Sequence, residues 1–364
     1  MKLIWTIGAA ALFATSLAQA QTLPENYPAD YADLVTEANA EGSLLIYTNL
    51  SGDNLNPIIE AFNAAYPEIA VQSIEMGPAE AFTRYQAETG TGVASADLII
   101  ANSITDWISA VEGGMLDDYV SPETANMPAW SYPEPGLYTI STDPMVTIYN
   151  KITVPEDLQV SSMEDYFAAI TESRDVFEGK VGTYDGRYAF GGAIGYAFAR
   201  YHGDPAWDWF ESAGPLTRPG GGAGGMIERT LSGELSSSFF VSGPVVFNRL
   251  RQEGLGEVLG WTFPSDGTPV FLRGMGITAD APNPAAAKVF LDFVLSEDGQ
   301  HAVAAGNLTP YRPGVITEDE LSFSLDEVVE AIGGPDKMIL IDYDPTMVRT
   351  FEAFTVRWGE AFNM

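Results

Sequence analysis

The sequence predicts an α/β protein of two lobes, each a mainly parallel sheet flanked by helices. Two observations carry this. Short apolar runs alternate with amphipathic ones, first between Ser43 and Gly114 and again beyond Gly179. Strands that alternate with helices need crossover connections, which give parallel sheets. The apolar runs are also apolar throughout, as expected of strands covered on both faces.

The first unit opens with the strand "SLLIYTN" (43–49) and the helix "NPIIEAFNAAYPE", in which Ile58, Ile59, Phe62 and Ala65 share one face. "IAVQSIEM" is a second strand, and "AEAFTRYQAETG" a second helix that Gly90 closes. "ADLIIANS" and "ITDWISAVEGG" repeat the pattern. A Pro-rich loop, "SPETANMPAWSYPEPG", follows, and then the strand "MVTIYN". In the second unit "GKVGTYDG", "LSSSFFVS" and "EVLGWTFPS" are expected strands, with helices near 192–202 and 224–232. "TPVFLRGMGITA" reads as a strand pair. "NPAAAKVFLDFVLSEDGQ" reads as one helix, with Asn283 as N-cap and Pro284 in the first turn. "DEVVEAIGG" and "TMVRTFEAFTVRWGEAF" are expected helices near the end. The first lobe takes the N-terminal part plus a later return, and the second is inserted between about Met145 and Gly260. In open α/β sheets ligands sit beyond the carboxyl ends of strands. Two lobes facing each other put such loops on both sides of a cleft, which a hinge can close around a small molecule.

The chain begins MKLIWTIGAAALFATSLAQA. Lys2 is a positive start, Leu3 to Leu17 an apolar stretch, and Ala18-Gln19-Ala20 a small-x-small cleavage site. Residues 1–20 are therefore expected to be a cleaved secretory signal. With no cysteine, neither disulfides nor a lipid-modified cysteine are available. The formal net charge of −33 argues against nucleic acid and anionic lipid surfaces, which both need positive charge.

Catalytic and metal chemistry find little support. The two histidines, His202 and His301, are isolated near expected helix ends, and no G-x-S-x-G elbow is present. Two separated histidines without cysteine exclude ordinary zinc or soft-metal clusters, and there is no calcium-loop motif. No enzyme activity, metal or cofactor is therefore expected.

Two helix-entry loops stand out instead. "TRPGGGAGG" places Arg218 before the glycines 220–222 and a helix start, where free N–H groups favour anions. It is neither a Walker loop nor a dinucleotide fingerprint. "TYDGRYAFGG" places Asp185, Arg187 and Tyr188 before the next helix. Of the 17 Lys and Arg residues, Lys2 lies in the signal, and nine of the remaining 16 fall between Lys151 and Arg251. That half can hold a locally positive pocket in an acidic protein; the alternative is ordinary surface arginines. Aromatic side chains near strand ends, Phe239 among them, are core or pocket wall.

"LLIYTNLSGDNLNPIIEAFNAAYPEIAV", "ADLIIANSITDWISAVEGGML", "MVTIYNK", "GWTFPSDGTPVFLRGMGITADAPNPAAAKVFLDFVLSEDGQ" and "TPYRPGV" resemble the extracellular solute-binding proteins of ABC importers. The likeness is to the branch that holds the ferric-iron binders, and it covers almost the whole mature chain. It implies the type II periplasmic binding protein fold, with crossovers near Thr139–Val146 and Phe263–Gly274. Residues 21–140 plus 265–364 would form lobe 1 and residues 141–264 lobe 2. The implied function is capture of a small solute by hinge closure in the periplasm and delivery, as a monomer, to an inner-membrane permease. Iron-binding relatives carry adjacent tyrosines near "SGELSSSFFVSGP", where this chain has Phe239, Phe240 and Val241, which offer no oxygen to ferric ion. Other relatives bind phosphorylated sugars, phosphonates, thiamine or polyamines. The arginines favour an organic anion. The alternatives are ferric iron or a cationic solute such as thiamine or a polyamine, which would need Asp185, Asp106 or Asp143; a secreted enzyme on a similar two-lobe scaffold is a remote one. The expected first-lobe contacts are Ser51, Gly52, Asn102 and Ser103. On the second lobe they are Asp185, Arg187, Tyr188, Arg218, Ser237, Ser238 and Phe239. Arg273, on a crossover, fits a ligand role and a structural role equally.

Overall fold

The computed structural model describes residues 27–317 and 319–364; the expected signal lies outside them. The first sheet is built from α1 (Tyr31–Glu41), β1 (Ser43–Thr48), α2 (Gly52–Ala65), β2 (Ala70–Glu75), α3 (Pro78–Gly90), β3 (Leu98–Ala101) and α4 (Ile104–Glu112). The long strand β4 (Tyr138–Asn150) leads to the second sheet. There follow α5 (Met163–Glu172), α6 (Arg174–Phe177), β5 (Val181–Thr183), α7 (Ala189–His202), α8 (Asp204–Ala213), β6 (Thr217–Pro219), α9 (Ala223–Leu231), β7 (Ser237–Ser242), α10 (Gly243–Leu250), α11 (Leu255–Val258) and β8 (Leu259–Thr262). Strand β9 (Thr268–Ile277) returns to the first sheet. The remainder is α12 (Pro284–Leu295), α13 (Glu297–Ala305), α14 (Leu325–Ile332), β10 (Met338–Ile341) and α15 (Pro345–Ala361).

The strands lie in the order β2-β1-β3-β9-β4-β7-β5-β6, with β10 on β9 and β8 on β4. Strand β4 belongs to both halves: Tyr138 to Pro144 pair with β9, and Met145 to Asn150 pair with β7 and β8. The chain returns through residues 263–267, between β8 and β9. The expected crossings are two, near 139–146 and 263–274. A third, through residues 342–344, joins β10 to α15.

Burial follows the pattern read from the sequence. Every residue of β3, β7 and β9 is buried. On α2 the buried residues are Leu55, Ile58 and Phe62, the helical spacing that one apolar stripe requires. The face of the first sheet that carries α1, α2, α12 and α13 packs Leu44, Ile46, Ile100 and Met275 against Phe62 and Phe290. In the second lobe Phe167, Phe198, Phe210 and Phe239 form the centre.

Several local expectations are corrected. The segment 268–277 is one strand, not a pair: it runs unbroken along β10 and then β3 on one side and β4 on the other. The helix after Asn283 splits at Ser296, whose hydroxyl accepts from Gly299 N at 3.1 Å and starts α13. Asn283 does not cap α12 with its side chain, which turns to Asp97. Instead the Glu41 carboxylate, at the end of α1, accepts from Ala285 N and Ala286 N at 3.2 and 2.7 Å. A carboxylate there satisfies orphan N–H groups and suits the positive end of the helix dipole. Helix α8 has no counterpart among the expected helices. Gly203 and Pro205 punctuate its start, and the segment reads locally as a turn.

The last helix packs on the second lobe. Phe354 meets Tyr196 of α7 and Trp207 of α8, and Phe362 meets Phe210 of α8. Among the described residues no helix is long and apolar enough to cross a membrane.

Candidate functional site

Strand ends place the site. Ala101, the last residue of β3, pairs with Gly274, and Ile341, the last residue of β10, pairs with Phe271. Leu272 and Arg273 thus fill the gap between two strand ends on one side of β9. On the other side Arg273 pairs with Ser141 of β4.

Arg273 is 8% exposed. Its Nη1 donates to Asn49 Oδ1 at 3.0 Å, and Asn49 Nδ2 donates to Asn102 Oδ1 at 2.8 Å. Asn49 and Asn102 directly follow β1 and β3. Two atoms in this place are buried without partners, Arg273 Nε and Ser141 Oγ. A buried donor left unmade costs about 1–3 kcal/mol, more when charged. Each such group calls for a partner, and a ligand is one that can supply it.

The neighbouring charge is Asp143, 6% exposed. The Ser242 hydroxyl donates to its two oxygens at 2.8 and 2.9 Å. Burial pushes its carboxyl up to about 6, against the opposing pull of Arg273 and of the Ser242 hydroxyl. Burial likewise lowers the Arg273 guanidinium, and Asp143 opposes that. The two charges attract without a direct ion pair between them. Ser242 ends β7, and its N–H donates to the Tyr184 hydroxyl at 3.4 Å. Tyr184 packs on Phe190, and Phe190 on Phe271, with ring centroids 5.0 and 4.7 Å apart. Tyr343, on the third crossing, donates to Leu272 O at 3.5 Å. Residues of both lobes, of the β4 crossing and of the 342–344 crossing therefore meet around Arg273.

Of the residues singled out in the sequence, Asn102, Asp143 and Arg273 lie in this cluster. Ser51 stands at the N-cap of α2 and donates to Asn54 Oδ1 at 2.9 Å, with Gly52 next to it on the same entry. Ser103 holds the N-cap position of α4 and bonds Asp106. Asp185 and Arg187 are engaged with each other, Nη2 to Oδ2 at 2.7 Å, and the arginine lies beside Gly359 of α15. That pair holds the Asp185 carboxyl below its ordinary range. Tyr188 is 70% exposed at the start of α7.

Four expected contacts lie elsewhere. Arg218 is exposed on the edge strand β6, its guanidinium beside Gly179, which precedes β5. It therefore points to the amino ends of the strands. Ser237 and Ser238 begin β7 and are buried, Ser237 on the Tyr166 hydroxyl at 2.7 Å. The cleft end of that strand is Ser242, five residues on. Phe239 packs on Tyr166 and Phe167, and Phe240 on Phe198. The register slips between Val146 and Ile148 of β4, and Phe240 has φ 56. Such a bulge turns two successive side chains to one side, and both rings enter the lobe core. The glycine loop does reach the carboxyl end of the sheet: Gly220 N donates to Thr183 O at 2.9 Å. Gly221 and Gly222 border open space.

Asn49, Ser141, Ser242 and Tyr343 had no signal of their own in the sequence; Tyr184 was one of the aromatics near strand ends that could be core or pocket wall. Arg273 had a signal, its place on an expected crossover. A separate pocket of about 320 Å³ lies between α7, β10 and α15, lined by Tyr196, Arg200, Tyr201, Asp342 and Asp344. Arg200 and Asp344 are already paired across it. His202 is wedged against Phe198 and Trp209, and burial lowers its imidazole. Among the described residues no group of three or more His, Asp or Glu side chains gathers to hold a metal.

The model of the family described as bacterial extracellular solute-binding protein matches residues 48–301. The chain belongs to that family. Solved structures share the fold of this solute-binding protein. The substrate-binding protein of an ABC transporter from Agrobacterium tumefaciens is 20% identical, with a TM-score of 0.76 over 88% of this chain and 94% of the other. Apo ferric ion-binding protein A from Pasteurella haemolytica is 18% identical, with a TM-score of 0.69 over 88% and 98%. The periplasmic binding protein AfuA from Actinobacillus pleuropneumoniae, with fructose-6-phosphate bound, is 20% identical, with a TM-score of 0.67 over 89% and 99%. No curated protein matches the chain. The hinge strands of this solute-binding protein, β4 and β9, carry the Asp143–Arg273 cluster.

Proposed function

We infer that the protein is the periplasmic receptor of an ABC importer and that it captures a small organic anion between its lobes. The observation that carries the reading is the buried Arg273 guanidinium, one of its donors without a partner, at the strand ends where the lobes meet. A guanidinium presents a planar fork that matches carboxylate and phosphate. Asn49 holds it from the first lobe, and Asn102 is the next group along. Tyr184, Phe190 and Phe271 supply the apolar wall beside it.

Closure of the lobes removes the anion from water and strengthens its bond to the arginine. No bond is made or broken, and release to an inner-membrane permease follows reopening of the hinge. The lobes we assign exchange chain at β4, at residues 263–267 and at residues 342–344, so α15 moves with the second lobe. The neighbour that bears fructose-6-phosphate is consistent with an anionic organic ligand. The phenylalanines at 239 and 240, turned into the core, speak against direct ferric ligation there.

A thermal-shift screen tests the reading. Carboxylates, phosphonates and sugar phosphates are compared with polyamines, thiamine and ferric citrate, since a ligand of the native state raises Tm by mass action. An organic anion should raise it. A shift with a polyamine and with no anion would refute the reading.

A further inference from the structure

We propose that the solute is a small zwitterion: besides the anionic group on Arg273, it carries an amine or a similar cationic donor that Asp143 receives. The proposal rests on Arg273 as the anion's anchor. Ser141 pairs with Arg273 and Asp143 with Phe271, so the two charged residues lie two positions apart on adjacent strands. Each is more than nine-tenths buried. They attract each other, yet each is bound by a different group. Asn49 of the first lobe holds the guanidinium, and Ser242 of the second holds the carboxylate.

Burying two opposite charges is costly, and direct pairing with good geometry recovers most of the cost. Had neutralisation been the only role, contact would serve it better than separation. Separated charges of opposite sign fit a ligand that bears both. The carboxylate keeps acceptor capacity, because one hydroxyl serves both of its oxygens and a carboxylate has about four lone-pair sites. Diagonal neighbours two positions apart on adjacent strands lie roughly 7–8 Å apart, which suits charges separated by a short chain, as in an amino acid or an aminophosphonate. Each charge of such a solute would bond to a group fixed by a different lobe, so both ends must be present for full closure.

The test uses calorimetry on the mature protein with matched pairs: β-alanine against propionate, and 2-aminoethylphosphonate against ethylphosphonate. The native protein should prefer the amine-bearing member of a pair by at least ~10-fold, the range of one charge-assisted hydrogen bond. Asp143→Asn, which keeps an acceptor for Ser242, should cut that preference below ~3-fold, and removing a carboxylate that attracts Arg273 should if anything strengthen binding of the amine-free member. Equal binding of both members by the native protein would overturn the proposal without any variant. So would a preference that survives in Asp143→Asn. If anions bind and Arg273→Gln removes them while the amine makes no difference, the zwitterion is refuted and Arg273 stands as the anchor. If no member binds, both fail.

Discussion

Arg273 and Asn49, 224 positions apart, are joined by one hydrogen bond of 3.0 Å. It ties the crossing strand to the end of β1. In the proposed reading it also decides where the anion sits, because it holds one arm of the guanidinium and leaves Nε without a partner.

Asn49→Asp would place a carboxylate against that arginine. The variant should fold as well as the native chain, since an ion pair replaces the amide bond. Its affinity for the anion should fall more than ~10-fold, because the new carboxylate competes for the guanidinium. Urea denaturation and calorimetry separate the two effects. Asn49→Ala should instead lower stability by about 1–3 kcal/mol, because it strips the arginine's acceptor.

Arg187→Ala is expected to change affinity by less than ~3-fold, as for a surface pair worth little. Its guanidinium is committed to Asp185 and lies against α15. Fluorescence titration with the anion found by screening checks it.

Asp292 predicts a pH effect. It is fully buried; Tyr31 and Tyr119 donate to Oδ2 at 2.8 and 2.6 Å, and Oδ1 has no partner. Burial pushes its carboxyl up to about 6. The folded chain thus holds this proton more tightly than the unfolded chain does. The associated stability is complete below the unfolded value of about 3.9 and is lost as pH rises through about 6. Asp292→Asn should match the native protein only below about pH 3.9, exceed it by about 1 kcal/mol at pH 4.5, and exceed it by about 3 kcal/mol at pH 7.5. Thermal denaturation at the two pH values gives the difference.

Replacing Phe239 and Phe240 by tyrosine should not create a ferric site. Both rings point into the second lobe's core. Each hydroxyl buried without a partner costs about 1–3 kcal/mol, so Tm should fall and ferric citrate should give no visible absorbance band. A coloured complex would show that the rings face the cleft.

How far the sequence was legible depended on the range of the cause. The apolar stripe of α2 and Pro284 at the start of α12 are local, and both read directly from their segments. The cap on α12 does not, because Glu41 reaches it from 244 positions away. Strand direction decided the second-lobe site. "SSSFFVS" shows polar residues at its beginning, yet the cleft lies at its end, and only the pairing of Met145 with Ser242 reveals which end faces the hinge. The arginines at 187 and 218 stood out as cations beside glycine. Local partners and an edge position remove both from the centre. Arg273 read as a crossover arginine with ligand and structural roles equally open, and its importance rests on Asn49, Asp143 and Ser242, which come from three other strand ends and crossings.

The most direct test of the account is the affinity of Arg273→Gln, measured by calorimetry with the anion found by screening. The glutamine retains a donor for Asn49 and removes the charge. The account predicts a loss of at least ~10-fold, with Arg187→Ala and Arg218→Ala close to native. Native affinity in Arg273→Gln, or a comparable loss in either of the other two variants, would contradict it.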